Sequence, residues 1–220
     1  MTDLIIFGTK DLAQLAKYYF DTDPEYFNYN IVAFTVDAEY MDCETFEGLP
    51  VVPFETIEST YDPNTHLLFA PVTGTGMNRV RESIYNRGKA KGYKFCSYVS
   101  SKATVCDNEI GENCFILEDN TLQPFTKIGN NVVMWSGNHI GHHSVIKDHV
   151  FFTSHVVLSG HCVIDEYSWF GVNSTIRDGL HIAESTLIAM GSLITKNTER
   201  EGFYMGVPAK KQDKTSIEVY

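Results

Sequence analysis

Residues 128–152 read IGNNVVMWSGNHIGHHSVIKDHVFF, and every sixth of them, beginning with Ile128, is bulky and apolar. The phase runs unbroken from Ile110, Ile116 and Leu122 through Ile128, Met134, Ile140, Ile146, Phe152, Leu158, Ile164, Phe170, Ile176, Ile182 and Ile188 to Ile194. Fifteen consecutive hits do not arise by accident in a chain that is 43% hydrophobic. A helical period of 3.6 and a strand period of 2 both fail to generate it. Four residues after the apolar position sits mostly a small or β-branched side chain, as at Cys114, Thr126, Val132, Ser144, Val156, Cys162, Ser174 and Ser192. A six-residue repeat of this kind is the signature of a parallel β-helix, one short strand and one turn per hexad. Three hexads to a coil make five coils from fifteen hexads, a prism on the order of 24 Å tall. The β-helix is expected over roughly residues 97–196, with apolar side chains stacked at 18-residue intervals.

Working outward, the first 95 residues or so have a different rhythm. Residues 3–8 read as a buried strand ending at Gly8, and residues 9–20 carry Leu12, Leu15, Ala16 and Tyr19 at helical spacing. Strands are expected at 29–37 and 66–70 and a second helix at 77–92, a small open α/β unit with a mostly parallel sheet. Such sheets bind ligands beyond the carboxyl ends of their strands, where glycine turns lead into helices. Gly8-Thr9-Lys10 occupies that place, and Thr73-Gly74-Thr75-Gly76 is a second candidate. A single glycine also serves as a plain tight turn, and Lys10 as a solvated first-turn residue. Asp37 suits a ribose or sugar hydroxyl, or simply ends its strand. A short ordered junction follows at 93–104, and after the β-helix 202–211 turns back before a polar tail at 213–220.

The formal net charge of -11 argues against nucleic acid or an anionic membrane as a general partner. MTDLIIFG lacks the basic region and cleavage site of a signal peptide, and no apolar run reaches membrane-spanning length. Five cysteines, odd in number and without CxxC spacing, read as buried free thiols in a reducing compartment, so the cytoplasm is the expected location.

Seven of the eight histidines lie between 139 and 181. The hexad phase places His142 two residues after an apolar position and His143, His149, His155 and His161 three after, all at prism corners. His143 and His161 differ by 18 and stack in adjacent coils; His142 lies over Pro124 and under Gly160. Two chemistries compete for such histidines. One is general-base catalysis by a neutral imidazole. The other is zinc binding, which needs three convergent nitrogens and, on this scaffold, usually more than one subunit.

The chain resembles the left-handed β-helix (hexapeptide-repeat) acyltransferases, in particular the sialic acid O-acetyltransferase and UDP-4-amino-sugar N-acetyltransferase group. The resemblance rests on Gly48-Leu49-Pro50-Val51, Asn78-Arg79-Val80-Arg81, Ile140-Gly141-His142-His143-Ser144-Val145-Ile146 and Gly206-Val207-Pro208-Ala209-Lys210. It implies a Rossmann-like nucleotide-sugar domain (1–96), an acetyltransferase β-helix (97–212) and a tail (213–220). It further implies acetyl-CoA as co-substrate and a homotrimer; the absence of membrane insertion and of a nucleic-acid partner is expected from hydropathy and charge. His142 matches the base; Gly160, Val172 and Met190 match pantetheine-arm positions; Gly8, Thr9, Lys10 and Asp37 match the nucleotide-sugar site; no metal is implied. Two departures stand out. His143 replaces the acidic residue that usually follows the base, and Gly8-Thr9-Lys10-Asp11 replaces a glycine-rich turn. The expectation is therefore N-acetylation of a nucleotide-linked amino sugar in surface-glycan synthesis. Sugar O-acetylation, a zinc-dependent γ-carbonic-anhydrase-like hydratase and an inactive binding protein are the alternatives.

Overall fold

The computed structural model describes residues 1–220, which divide into two compact units. The first comprises Met1–Thr73 and Ser83–Ser97; the second comprises Gly74–Glu82 and Tyr98–Tyr220. A single cut at 96/97 therefore misplaces Gly74–Glu82, which belongs with the β-helix.

The first unit contains β1 (Thr2–Phe7), α1 (Asp11–Thr22), β2 (Tyr29–Val36), β3 (Thr45–Phe46), β4 (Leu49–Pro53), β5 (His66–Phe69), most of α2 (Arg79–Ala90) and β6 (Lys94–Phe95). The sheet order is β3-β4-β2-β1-β5-β6, parallel except for β3. Leu4, Ile5 and Ile6 are fully buried, which is why β1 is a continuous apolar run rather than an alternating one. Phe54, Ile57, Leu68, Ile84 and Phe95 pack with Ile5 in one core. The chain runs outward from β1 on one side and returns to β5 on the other, so the order reverses at β1, where Gly8 follows.

In the second unit, seventeen two-residue strands form three parallel faces. One face holds Val133–Met134 and Phe151–Phe152, the next His139–Ile140 and Val157–Leu158, the third Val145–Ile146 and Val163–Ile164. The second residue of each strand points inward: Ile140, Phe152, Leu158, Ile164, Phe170, Ile176, Ile182 and Ile188 are fully buried. Phe152 and Phe170 stack with centroids 4.4 Å apart. Each such side chain contributes about 1.5–3 kcal/mol by burial. The coil starts earlier than the repeat count implies. Tyr98–Val99 and Thr104–Val105 are strands too, and they pair with residues 17 positions onward rather than 18. One residue is missing from the first coil, so five coils become nearly six.

The corners follow a backbone rule. At every sixth residue from Asp107 through Gly191 φ is positive, as at Asn113 (55°), Asn131 (56°), His143 (59°), His149 (64°), His155 (59°), His161 (58°) and Asn173 (58°). Asn, Asp, His and glycine tolerate that region best. Four of the corner histidines therefore have a conformational reason to be there.

Asn78-Arg79-Val80-Arg81 fastens its segment to one of these corners. Asn78 Nδ2 donates to the Tyr167 carbonyl at 3.0 Å, the Tyr167 hydroxyl donates to Glu82 at 2.7 Å, and the Arg79 guanidinium lies 3.3 Å from the Tyr167 ring centre. Arg81 is buried, donates to the Asn131 carbonyl and leaves Nε and Nη1 without partners. Burial pulls its pKa down to about 9, so it stays protonated at neutral pH. These contacts explain why residues 74–82 join the β-helix.

The expected polar tail is ordered. Gly202–Gly206 continues the first face and pairs antiparallel with Ala209–Thr215, so Val207-Pro208 form a two-residue hairpin loop. A terminal helical turn, Ser216–Val219, is held by the buried Ser216 hydroxyl on the Ser185 carbonyl at 2.6 Å, and the Tyr220 ring meets Trp169. Cys96, Cys114 and Cys162 are buried and Cys106 is exposed; none of the five cysteines forms a disulfide. No helix is long and apolar enough to cross a membrane.

Candidate functional site

His142 is the corner histidine whose presence the backbone does not explain, because its φ is not in the left-handed region. The coils on either side fix its main chain. Its N–H donates to Gln123 Oε1 at 3.0 Å, and its carbonyl accepts from the His161 N–H at 2.9 Å. Gln123 is a positioning group that the 18-residue arithmetic passes over, since the contact spans 19 residues.

The His142 ring is directed at both edges. On one side its Nδ1 lies 3.1 Å from His143 Nδ1. Two ring nitrogens at that distance share one proton, so one imidazole donates to the other. On the opposite side Gly160 is bare: a Cβ there would stand 3.0 Å from His142 Cε1 and 3.1 Å from Nε2. Gly160 does not have a positive φ, so this close approach, rather than backbone conformation, accounts for the glycine. No hydrogen bond within the protein uses the Gly160 N–H.

His143 and His161 stack with centroids 5.0 Å apart and planes 19° apart, as the 18-residue spacing predicts, and Phe125 extends the column below His143 at 4.7 Å. Phe125 is 70% exposed, an aromatic surface next to the histidines. A cavity of about 480 Å³ lined by Cys106, Asp107, Pro124, Phe125 and Lys127 lies on this corner, one coil below His142. His139 and His181 point outward from strands; His181 meets Asp165 at 2.6 Å. His149 is buried, with Nδ1 2.9 Å from Asn131 Nδ2, and burial lowers its pKa.

The remaining expected site residues do not gather here. Val172 (39% exposed) and Met190 (76% exposed) stack 18 residues apart on a different corner from His142 and Gly160. Gly8, Thr9 and Lys10 lead from β1 into α1. Gly8 has φ +114°, so the turn alone demands glycine, and Thr9 is buried. The Lys10 ammonium is 2.5 Å from Asp42, which raises its pKa. Asp37 does not present a free carboxylate: Arg87 grips both its oxygens, one at 3.0 Å. Both groups lie at the carboxyl ends of the neighbouring strands β1 and β2.

No protein-family model matches the chain. Among curated relatives, the UDP-3-O-acylglucosamine N-acyltransferase of Herminiimonas arsenicoxydans is 31% identical over 104 residues, 46% of this chain and 28% of the relative. An acyl-[acyl-carrier-protein]–UDP-N-acetylglucosamine O-acyltransferase of Pseudomonas savastanoi pv. phaseolicola is 28% identical over 85 residues, 39% of this chain and 33% of the relative. The chain thus spans about a third of the length of the curated relatives it matches. Two solved structures match nearly end to end. A histidine-to-asparagine variant of perosamine N-acetyltransferase from Caulobacter crescentus, in complex with CoA and GDP-perosamine, has a TM-score of 0.86 at 17% identity, over 97% of this chain and 98% of that one. The acetyltransferase domain of PglB from Neisseria gonorrhoeae has a TM-score of 0.83 at 18% identity, covering 96% and 100%. In its repeat the chain is similar to these acyltransferases, and its fold is that of the two acetyltransferase structures.

Proposed function

We propose that this protein is an acetyl-CoA-dependent N-acetyltransferase acting on a nucleotide-linked amino sugar, with His142 as general base. The observation that carries the proposal is the orientation of the His142 ring, with Nδ1 against His143 and Nε2 over Gly160. With the shared proton on His142 Nδ1, His143 Nδ1 accepts it and His142 Nε2 keeps its lone pair for the substrate. The sugar amine attacks the thioester carbonyl and passes its proton to Nε2. Collapse of the tetrahedral adduct expels the CoA sulfur, which takes that proton back. The Gly160 N–H, which no group of the protein takes up, is the donor assigned to the developing oxyanion, the group whose stabilisation usually contributes most.

His143 supplies an acceptor for Nδ1–H but no negative charge, so the imidazolium is less stabilised than beside a carboxylate. The first unit is read as a Rossmann-like nucleotide-sugar domain, with Gly8, Thr9 and Lys10 at its strand-order reversal. Asp37, already held by Arg87, has only its remaining lone pairs for a sugar hydroxyl. His142 and Gly160 occupy one corner and Val172 and Met190 another, so a cofactor lying between two prisms would meet His142 and Gly160 of one copy and Val172 and Met190 of the next. That favours a homotrimer with sites at its interfaces. The perosamine acetyltransferase that shares the fold was crystallised with CoA and GDP-perosamine, which suits the same ligand classes here.

A thermal-shift panel of UDP-, dTDP-, GDP- and CMP-linked amino sugars, with and without acetyl-CoA, identifies the acceptor. Product mass and NMR then distinguish an amide from an ester. His142→Ala is expected to lower turnover about 10²–10⁴-fold, the usual contribution of a general base; unchanged turnover removes the assignment.

A further inference from the structure

Three convergent ring nitrogens were expected to require more than one subunit, yet one chain supplies them. A ligand nitrogen from each of His142, His143 and His161 lies within 4.8 Å of the other two. We propose that these side chains form a site for a divalent transition metal of the zinc class, and that a metal bound there stops His142 from accepting a proton. The first half stands on geometry alone; the second rests on reading His142 as the base.

His142 Nδ1 and His143 Nδ1 are 3.1 Å apart. Two nitrogens on a tetrahedral zinc ion, each at about 2.0–2.1 Å, stand about 3.4 Å apart. The pair is already at chelating distance, and the ion takes the place of the single shared proton. His161 completes the set, its ring centroid 4.9 Å from that of His142 and 5.0 Å from that of His143. All three side chains are exposed, so small χ rotations close the remaining gap. Their backbones are held by the left-handed turns at His143 and His161 and by the His161 N–H on the His142 carbonyl. Three imidazoles leave the fourth tetrahedral position for water. A set of nitrogens without a carboxylate selects zinc, copper or nickel over magnesium and calcium.

The block on catalysis follows from tautomers. When His142 coordinates through Nδ1, the neutral ring carries its one proton on Nε2, the atom that must be bare to act as base. Coordination through Nε2 occupies the same lone pair directly.

The test uses full-length protein stripped of metal, with zinc sulfate titrated against a chromogenic chelator and Co²⁺ as an optical probe. His161→Asn is the key variant, because Asn keeps the left-handed turn; His149→Asn, at another corner, is the control. One zinc per chain is expected to bind the wild type and the control. His161→Asn should bind at least about tenfold more weakly, since even outer-shell partners contribute that much. Turnover is read by product mass with the amino-sugar nucleotide identified in the panel. It should fall with occupancy in the wild type, return with chelator, and resist zinc in His161→Asn. Zinc binding as tight in His161→Asn as in the wild type overturns the site. Full occupancy with undiminished turnover overturns the inhibitory half. Should His142→Ala retain turnover, the base assignment fails, while the zinc titration still decides the site.

Discussion

At position 143 backbone and chemistry ask for the same short set of side chains. The turn requires a residue tolerant of φ near 59°, and His142 Nδ1–H requires an acceptor. Aspartate meets both demands and adds charge, so His143→Asp is expected to hold or raise turnover with the melting temperature unchanged. His143→Val meets neither, and should lose about 1–2 kcal/mol of stability from the left-handed backbone together with turnover. Denaturant unfolding and kcat measured side by side check both. At Gly160 an added methyl would press the His142 ring at 3.0–3.1 Å and the His142 carbonyl at 3.2 Å. Gly160→Ala should therefore lower kcat about tenfold or more, as displaced catalytic groups do, with at most a small loss of stability from the crowded carbonyl. The pairing of His143 with His161 was legible from the number 18. The approach of the His142 ring to both was not, because spacing fixes Cα positions and not ring directions. Arg87 on Asp37 was hidden for a similar reason: the two lie 50 residues apart, with no periodicity to link them.

At the scale of the element, the hexad was legible because each inward side chain meets a copy of itself one coil away, leaving the sequence no freedom at that position. Ile164, fully buried between Ile146 and Ile182, illustrates this. Ile164→Ala should cost about 2–5 kcal/mol, the range for emptying a core position that cannot collapse, read as a lower denaturant midpoint. The two strands before Ile110 escaped the count because one missing residue shifts Val99 and Val105 out of phase. The turn back at 202–211 was legible, but the terminal helical turn was read only as a polar tail. Its order comes from the hairpin's pairing with the last coil and from the Ser216 and Tyr220 contacts, which a pattern of apolar residues does not report.

For the whole molecule, the stability of the β-helix unit carries a pH signature. Burial lowers the pKa of His149 below its ordinary 6.5, against the opposing pull of Glu82 and Asp148 and with that of Arg81 and Arg79. The unfolded chain then binds the proton first. His149 therefore contributes stability that is fully present above about pH 6.5 and is lost as pH falls through the lowered folded value. The melting temperature should drop between pH 7.5 and 5.5, and His149→Asn, which keeps the turn, should flatten that drop; an identical slope in both proteins would assign the acid sensitivity elsewhere. The left-handed corners also bear on how such a molecule acquires new chemistry. Where a turn already favours histidine, an imidazole costs the fold nothing, and each coil sets the next one directly above it. Selection on this scaffold begins with imidazoles already in register, so one further histidine beside a corner position, as His142 stands beside His143, is enough to turn a conformational preference into a hydrogen-bonded pair.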